Sequence, residues 1–469
     1  MFQMFRDALF RLIYPIKDRS CINFIYYLFV MKNTIKKRLQ LIEINEFALE
    51  LFERGTQELN LPNITKLLAM NSSVTTTDDQ VEHRGLDPWV QWVSVHTGVP
   101  SSTHGIIHLG DTPSNLNIQQ IWQVLSTHGI SSGIWGAMNA TREATPDCQF
   151  FLPDPWTFSE DAYPDKLNSL LSLPRYYSKN YLDVSPREFL KRTFQLIKFV
   201  MGSGSVLRLV RQLPLILRGI FENGINNAML FSLFDLFSTI LFLEQKRRSR
   251  PQFSLIFLNS IAHLQHHKWE SGHKLNSDLR FGLRVIDRSL GLLFESMEDD
   301  EAVVIMNALT QRNIVGEEAR ICYRQINPAK FLTSVGLDFV KVEQLMTNDA
   351  HVFFKDVNDR KIAALELEKI KIFDKALFQV EIDNQNPLKL FYQIDFWDEL
   401  KTDVALSING RASKFSDHFE AIVARTGSHT RNGNIFYASI DIPEKIYNHD
   451  LIKYIYSYFS IPTNKNAHG

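Results

Sequence analysis

Cysteine is scarce. The chain has three in 469 residues, Cys21, Cys148 and Cys322, too few for a disulfide framework and too widely spaced for a paired zinc module. That count suits a reducing compartment. Net charge is nearly absent as well: 51 Lys and Arg stand against 52 Asp and Glu, a formal charge of −1, so no overall field gathers nucleic acid and no nucleic-acid partner is expected. No convincing signal peptide is present. The apolar run Ile22–Met31 is too short to span a bilayer and lacks a small-residue cleavage site. The expected location is the cytoplasm, with membrane association through the first 35 residues as the other reading. There Phe2, Phe5, Leu9, Phe10, Leu12 and Ile13 alternate with Arg6, Arg11 and Lys17, as in an interfacial anchor. A plainer reading starts translation at Met31. A clean membrane-length run is missing too. Ala228 to Leu243 is nearly all apolar, but Ser232, Asp235 and Ser238 interrupt it, and a carboxylate near the centre of a span is costly.

What is present reads as a globular α/β chain, with 45% hydrophobic and 22% charged residues. Leu39–Ile44, Ser131–Trp135, Phe253–Leu258 and Ala302–Met306 read as buried strands alternating with helices. That pattern predicts a mostly parallel central sheet flanked by crossover helices. We divide the chain into an extension (1–35), a first core half (36–150), a helical cap insertion (151–250), a second core half (251–345) and a C-terminal α+β part (346–469) that completes the core and site. In the insertion, helices are expected near 187–201, 205–219 and 226–245, the middle one kinked by Pro214. The insertion's Arg208, Arg211 and Arg218 offer a peripheral contact to a lipid or glycolipid surface.

In such sheets ligands bind at the carboxyl ends of the strands. The densest run of functional residue types, 85–111, belongs there. Pro88–Thr97 reads as a helix with Asp87 as N-cap and Gly98 as its stop. It carries Gln91, Ser94 and His96, with His104 following. Asn259 ends one strand, and His263, His266 and His267 follow at i, i+3 and i+4 spacing on one helical face, a metal-like cluster. Glu43 is a carboxylate inside a core strand. It calls either for a function or for a buried partner, with Arg84 and Arg142 as candidates.

Thr97-Gly98-x-Pro100 with His104-Gly105-Ile106, then Ile121-Trp122 and Ser131-Ser-Gly-Ile-Trp-Gly136, resemble the alkaline phosphatase superfamily, in the style of nucleotide pyrophosphatases/phosphodiesterases; sulfatases are a further branch of it. The resemblance runs in pieces from about 39 to 345 and again near 424–433. It implies an alkaline phosphatase-like fold and a metal-dependent hydrolase or transferase of phosphate or sulfate esters. The family's first strand ends in Asp-Gly, whose Asp binds metal; Asn45 stands at that Asp. Asn259 and His263 stand at the next Asp and His, and His429 at the late His. Ala308 and Leu309, or Asn307 and Ala308 in a shifted register, stand where the second metal's Asp and His would be. Counting back from Thr97-Gly98 puts the nucleophile on Pro88 or Asp87, and Gln91 at a phosphate-binding Asn.

The resemblance therefore implies a reduced site. Its catalytic candidates are Asp87 and Glu43. The substrate-binding candidates are Gln91, Asn45, Asn307 and His104. One divalent metal, zinc ahead of manganese, or none, would sit on His263, His429, Asn259 and His266. The expected partner is a phosphorylated or sulfated small molecule, glycan or lipid. The alternative is a non-catalytic relative that binds an anionic glycan, lipid or protein. An Asn45–Asn259 hydrogen bond would favour that alternative.

Overall fold

The computed structural model describes residues 37–79, 86–113, 118–270, 274–316, 320–383, 386–400, 404–408 and 410–462. The expectations for residues 1–35 and for Arg84 lie outside these.

An eight-stranded sheet organises the fold. In spatial order its strands are Lys445–Tyr447, Asn71–Thr76, Gly433–Ala438, Glu301–Met306, Arg38–Ile44, Phe253–Leu258, Ser132–Trp135 and Cys148–Leu152. Arg38–Ile44 is parallel to Phe253–Leu258, which is parallel to Ser132–Trp135, and that strand to Cys148–Leu152. Gly433–Ala438 runs antiparallel to both of its neighbours. The fold is thus α/β, with a mostly parallel central sheet flanked by helices.

Strands covered on both faces need apolar residues on both. The side chains accordingly split by parity. Leu39, Leu41, Phe253 and Leu255 join Trp92, Val95 and Trp122 on one face, while Ile42, Ile44, Ile256 and Leu258 join Leu283, Ile286 and Leu290 on the other. Register sets the site. Leu39 pairs with Phe253 and Ile44 with Leu258, so the two strands end level and Asn45 and Asn259 emerge side by side.

Between the two core halves lie the helices Asn168–Asn180, Pro186–Gly202, Val206–Val210, Leu213–Asn223 and Asn227–Ser249. Pro214 does not kink one helix as expected. The helix breaks at Arg211 and Gln212, and Pro214 takes the first turn of the next helix, where its missing N–H costs nothing. Asn227–Ser249 is long and apolar enough to cross a membrane, yet 67% of its most apolar window is buried within the protein. Met229, Leu233, Leu236 and Ile240 pack on Phe281 and Val285.

The C-terminal part builds a separate antiparallel sheet from Lys341–Gln344, Asp349–Phe353, Phe378–Ile382 and Lys389–Ile394, with its own apolar cluster. The stretch 424–433 contains the strand Gly427–Thr430, antiparallel to Thr310–Asn313 with His429 opposite Gln311.

Candidate metal centre

The helix Pro88–Thr97 forms with the expected bounds, and Gly98 ends it at φ 74. It is clamped to the first core strand by two polar contacts. Trp92 Nε1 donates to Asn45 Oδ1 at 2.8 Å, and His96 Nε2 lies 2.7 Å from Glu43 Oε1. The spacing explains the match: one helical turn rises about 5.4 Å, close to the ~6.6 Å between strand residues two apart. Glu43 therefore finds its partner in His96, not in Arg142. Both side chains are fully buried, and burial pushes the Glu43 carboxyl up even though His96 pulls it down. From there Glu43 reaches no solvent-borne substrate. It acts as a strut between strand and helix.

The clamp places Asp87. Its carboxylate makes no capping hydrogen bond and instead lies 4.0 Å from His429 Nδ1, with a quarter of the side chain exposed.

Three side chains converge beside it. Glu46 Oε2 is 3.0 Å from His266 Nε2 and 3.1 Å from His429 Nε2, and the two imidazole nitrogens are 3.2 Å apart. His266 Nδ1 faces the Gly427 carbonyl at 3.3 Å, so in the neutral ring the proton sits there and Nε2 turns its lone pair inward. Asp87 sits on the Nδ1 side of His429 in the same sense. Two lone pairs and a carboxylate oxygen thus point at one another, and this arrangement needs a cation at its centre, either a proton or a metal. Metal bonds of about 2.0–2.2 Å set ligand separations of roughly 3–3.5 Å, so the donor set fits one divalent ion. Carbonyl and carboxylate partners behind ligating imidazoles are the usual outer support of such sites. Burial opposes the Glu46 charge, but His429 and His266 hold its carboxyl well below the usual range; burial likewise opposes the His429 charge, and Glu46 overrides it.

Glu46 holds a left-handed backbone (φ 54), a strained state for a non-glycine residue. Gln265 braces it: its Nε2 donates to the Glu46 carbonyl and its Oε1 accepts from Ala48 N, both at 2.8 Å. Gln311 Nε2 donates to Glu46 Oε2 at 2.5 Å. Reasoning from the sequence passed over Glu46. The available signal was its place after Asn45, where the family pattern has a glycine.

His263 is not in this group among the described residues. Its ring packs on Phe231 (4.0 Å) and His267 (4.2 Å), and burial lowers its pKa to about 3. The expected His263–His429 pair is replaced by His266–His429, because His266, one turn further along, faces the Gly427–Thr430 strand. Thr426 N donates to the His266 carbonyl and its Oγ1 to the Gln265 carbonyl, both at 2.8 Å, fastening the helix end to that strand.

The three strand-end asparagines are tied up by neighbours. Asn45 Nδ2 donates to Asn259 Oδ1 (2.8 Å) and Glu46 Oε1 (2.9 Å). Asn307 Nδ2 donates to the Phe47 carbonyl and its Oδ1 accepts from Asn434 N, both at 2.6 Å. Gln91 lies apart from the triad, donating to Asp79 (2.7 Å) and accepting from Asn448 (2.5 Å). His104 Nδ1 accepts from Ile106 N and its Nε2 faces Ser94 Oγ, each at 3.0 Å; burial pushes its pKa down to about 4. Gln91, His104 and Asn307 are therefore held by the fold's own polar groups rather than presented to a ligand.

Asn45→Asp tests the role of the amide. A carboxylate cannot make either donation and would face Glu46 at hydrogen-bond distance. We expect a loss of at least about 2 kcal/mol in urea unfolding at neutral pH; an unchanged midpoint would contradict these bonds.

The fold and site thus define an α/β protein in which Glu46, His266 and His429, three side chains that could hold a metal ion, meet near the carboxyl end of its first core strand. No family profile and no curated protein matches the chain. Among solved structures it is similar to phosphonoacetate hydrolase from Sinorhizobium meliloti 1021 in complex with phosphonoacetate: 12% identity, 90% of this chain and 96% of that chain, TM-score 0.42. It is also similar to an inactive variant of murine ectonucleotide pyrophosphatase/phosphodiesterase 5 in complex with AMP: 10% identity, 91% and 97%, TM-score 0.44. The chemistry rests on this chain's own side chains.

Proposed function

We propose that the chain is a hydrolase or transferase of phosphate esters with a single-metal site on Glu46, His266 and His429. The observation that carries this reading is the convergence of two imidazole lone pairs and one carboxylate oxygen within 3.0–3.2 Å. Zinc fits two nitrogens and one oxygen best, and manganese second. A divalent ion held there would polarise a phosphoryl oxygen. Asp87, exposed beside the triad, is the carboxylate placed to take a proton from the attacking group or to attack in its stead. The remaining sequence candidates have supporting roles: Asn45 and Asn259 orient Glu46, and Asn307 secures the neighbouring chain turns. Sulfate esters present the same oxyanion shape and belong in the same screen.

A second reading has its own observation. Asn45 and Asn259 hydrogen-bond each other, and Asn307 bonds the Phe47 carbonyl and Asn434 N, so these strand-end amides are engaged by the fold itself. That favours a non-catalytic relative which uses the triad to bind an anionic ligand.

The test is elemental analysis of the purified full chain with His266→Ala and His429→Ala, followed by a screen of phosphodiesters, phosphomonoesters, phosphonates and sulfate esters. About one zinc or manganese per chain, lost in both variants but kept in His263→Ala, is expected, with metal-dependent turnover of one ester class. Metal without turnover would select the binding reading. No metal under any loading would remove the hydrolase.

A further inference from the structure

The helices between the core halves turn apolar side chains outward. On Pro186–Gly202, Leu190, Phe194, Ile197 and Met201 recur at helical spacing, and they are 66%, 69%, 53% and 65% exposed. The next two helices add Leu207, Val210, Leu217 and Phe221, the last 92% exposed. On Asn227–Ser249, Leu230, Phe234 and Phe237 continue the row. Scattered exposed apolar residues are ordinary, but rows of this length on successive helices are not.

The charge on the same stretch is mostly positive. Residues 187–237 hold seven Lys and Arg against Glu188, Glu222 and Asp235, a net +4 in a chain whose total is −1. Arg187, Lys198 and Arg211 make no ion pair among the described residues, and all three are exposed, the first two on the helix Pro186–Gly202 and Arg211 in the turn after Val206–Val210. Lys198 also lines a cleft of about 610 Å³ with Lys166, Arg248, Asn168, Ser169 and Ser172.

We propose that this face, residues 187–237, seats on the interface of an anionic bilayer. Its aliphatic and aromatic tips enter the acyl boundary, its cations lie at phosphate level, and the Lys166–Lys198–Arg248 cleft takes a lipid headgroup. The +4 charge opposes docking of a second copy through the same face and favours an anionic surface. The helix Asn227–Ser249 also touches the helix that carries His266. Phe231 covers His263, and Asp235 of the same helix accepts from Asn259 N (3.2 Å) and Ser260 N (2.7 Å), where the His266 helix begins. The proposal rests on exposure and charge, not on the metal reading.

The test is co-sedimentation of the full chain with vesicles of phosphatidylcholine alone and of phosphatidylcholine with phosphatidylglycerol. Anionic vesicles are expected to bind at least about tenfold more tightly, with the difference shrinking as salt is raised. The double variants Leu190→Ser/Phe194→Ser and Leu217→Ser/Phe221→Ser should each lower vesicle binding about tenfold or more. Because these side chains are exposed, thermal unfolding should stay unchanged. No binding by the wild-type chain, or equal binding by both variants, would overturn the proposal. So would light scattering that shows a dimer which the variants split, since the face would then join two copies. Vesicle binding requires neither metal nor turnover, so its failure is read separately from failure of the metal site.

Discussion

Glu46→Gln is expected to abolish metal binding by the purified chain. The loss in affinity should exceed about 100-fold, beyond what removal of an outer partner costs. Among the described residues Glu46 supplies the only carboxylate oxygen within 3.1 Å of both inward-facing nitrogens, and glutamine would replace one of its oxygens with an N–H₂. That amide would also meet donors already in place from Asn45 Nδ2 on one side or Gln311 Nε2 on the other. Without metal, the variant should lose roughly 3–5 kcal/mol, because a buried charge partner is removed. The pH dependence has a definite sign. Glu46 has a depressed pKa when folded, so its contribution is present above the ordinary 4.5 and is lost as pH falls through the depressed value. His429 has a raised pKa, so its contribution is present below the ordinary 6.5 and is lost as pH rises through the raised value. Metal-free wild type should therefore gain most from the pair between these two limits, and Glu46→Gln should flatten that maximum in urea unfolding followed against pH. Metal retained at one per chain in Glu46→Gln would sink the triad.

The second large effect is expected at Asp235. This carboxylate sits inside the protein and accepts both N–H groups that open the His266 helix, acting as its N-cap from another helix. Asp235→Ala leaves two buried donors unmet and should cost roughly 2–5 kcal/mol. It should also loosen His266 enough to lower metal affinity about tenfold or more. Asp235→Asn separates charge from hydrogen bonding. Burial pushes the Asp235 carboxyl up from 3.8 to about 6, against the pull of the Ser260 and Asn259 donors. A carboxyl with a raised folded pKa favours the folded state most when protonated. Its contribution is therefore full below about pH 4 and falls by roughly 3 kcal/mol as pH rises to about 6. Asparagine cannot titrate, so the variant should lack this slope while keeping one acceptor oxygen. Parallel stability–pH curves for wild type and Asp235→Asn between pH 4 and 6 would contradict the assignment.

Much of this protein follows from local pattern. Apolar runs such as Leu39–Ile44 and Phe253–Leu258 can only be strands buried on both faces, and their alternation with helices implies the parallel sheet. Asp87-Pro88 and Gly98 set the bounds of the helix between them, because a proline fits a first turn and glycine tolerates φ 74. His266 was recognisable as a candidate ligand by residue type and spacing, and His429 through the resemblance to the family's late His. Which histidine meets which, however, was decided only in three dimensions. His263 and His266 share a helical face in sequence, yet one packs under Phe231 and the other faces the Gly427–Thr430 strand. Glu46 became a candidate ligand only through a left-handed turn braced by Gln265, more than two hundred residues away. Glu43, which looked functional as a lone carboxylate, found His96 through a match between helical rise and strand spacing. Residue chemistry and short-range periodicity can be read along the chain. Direction, partner and burial depend on packing between distant segments, and that is where a set of polar residues became a triad.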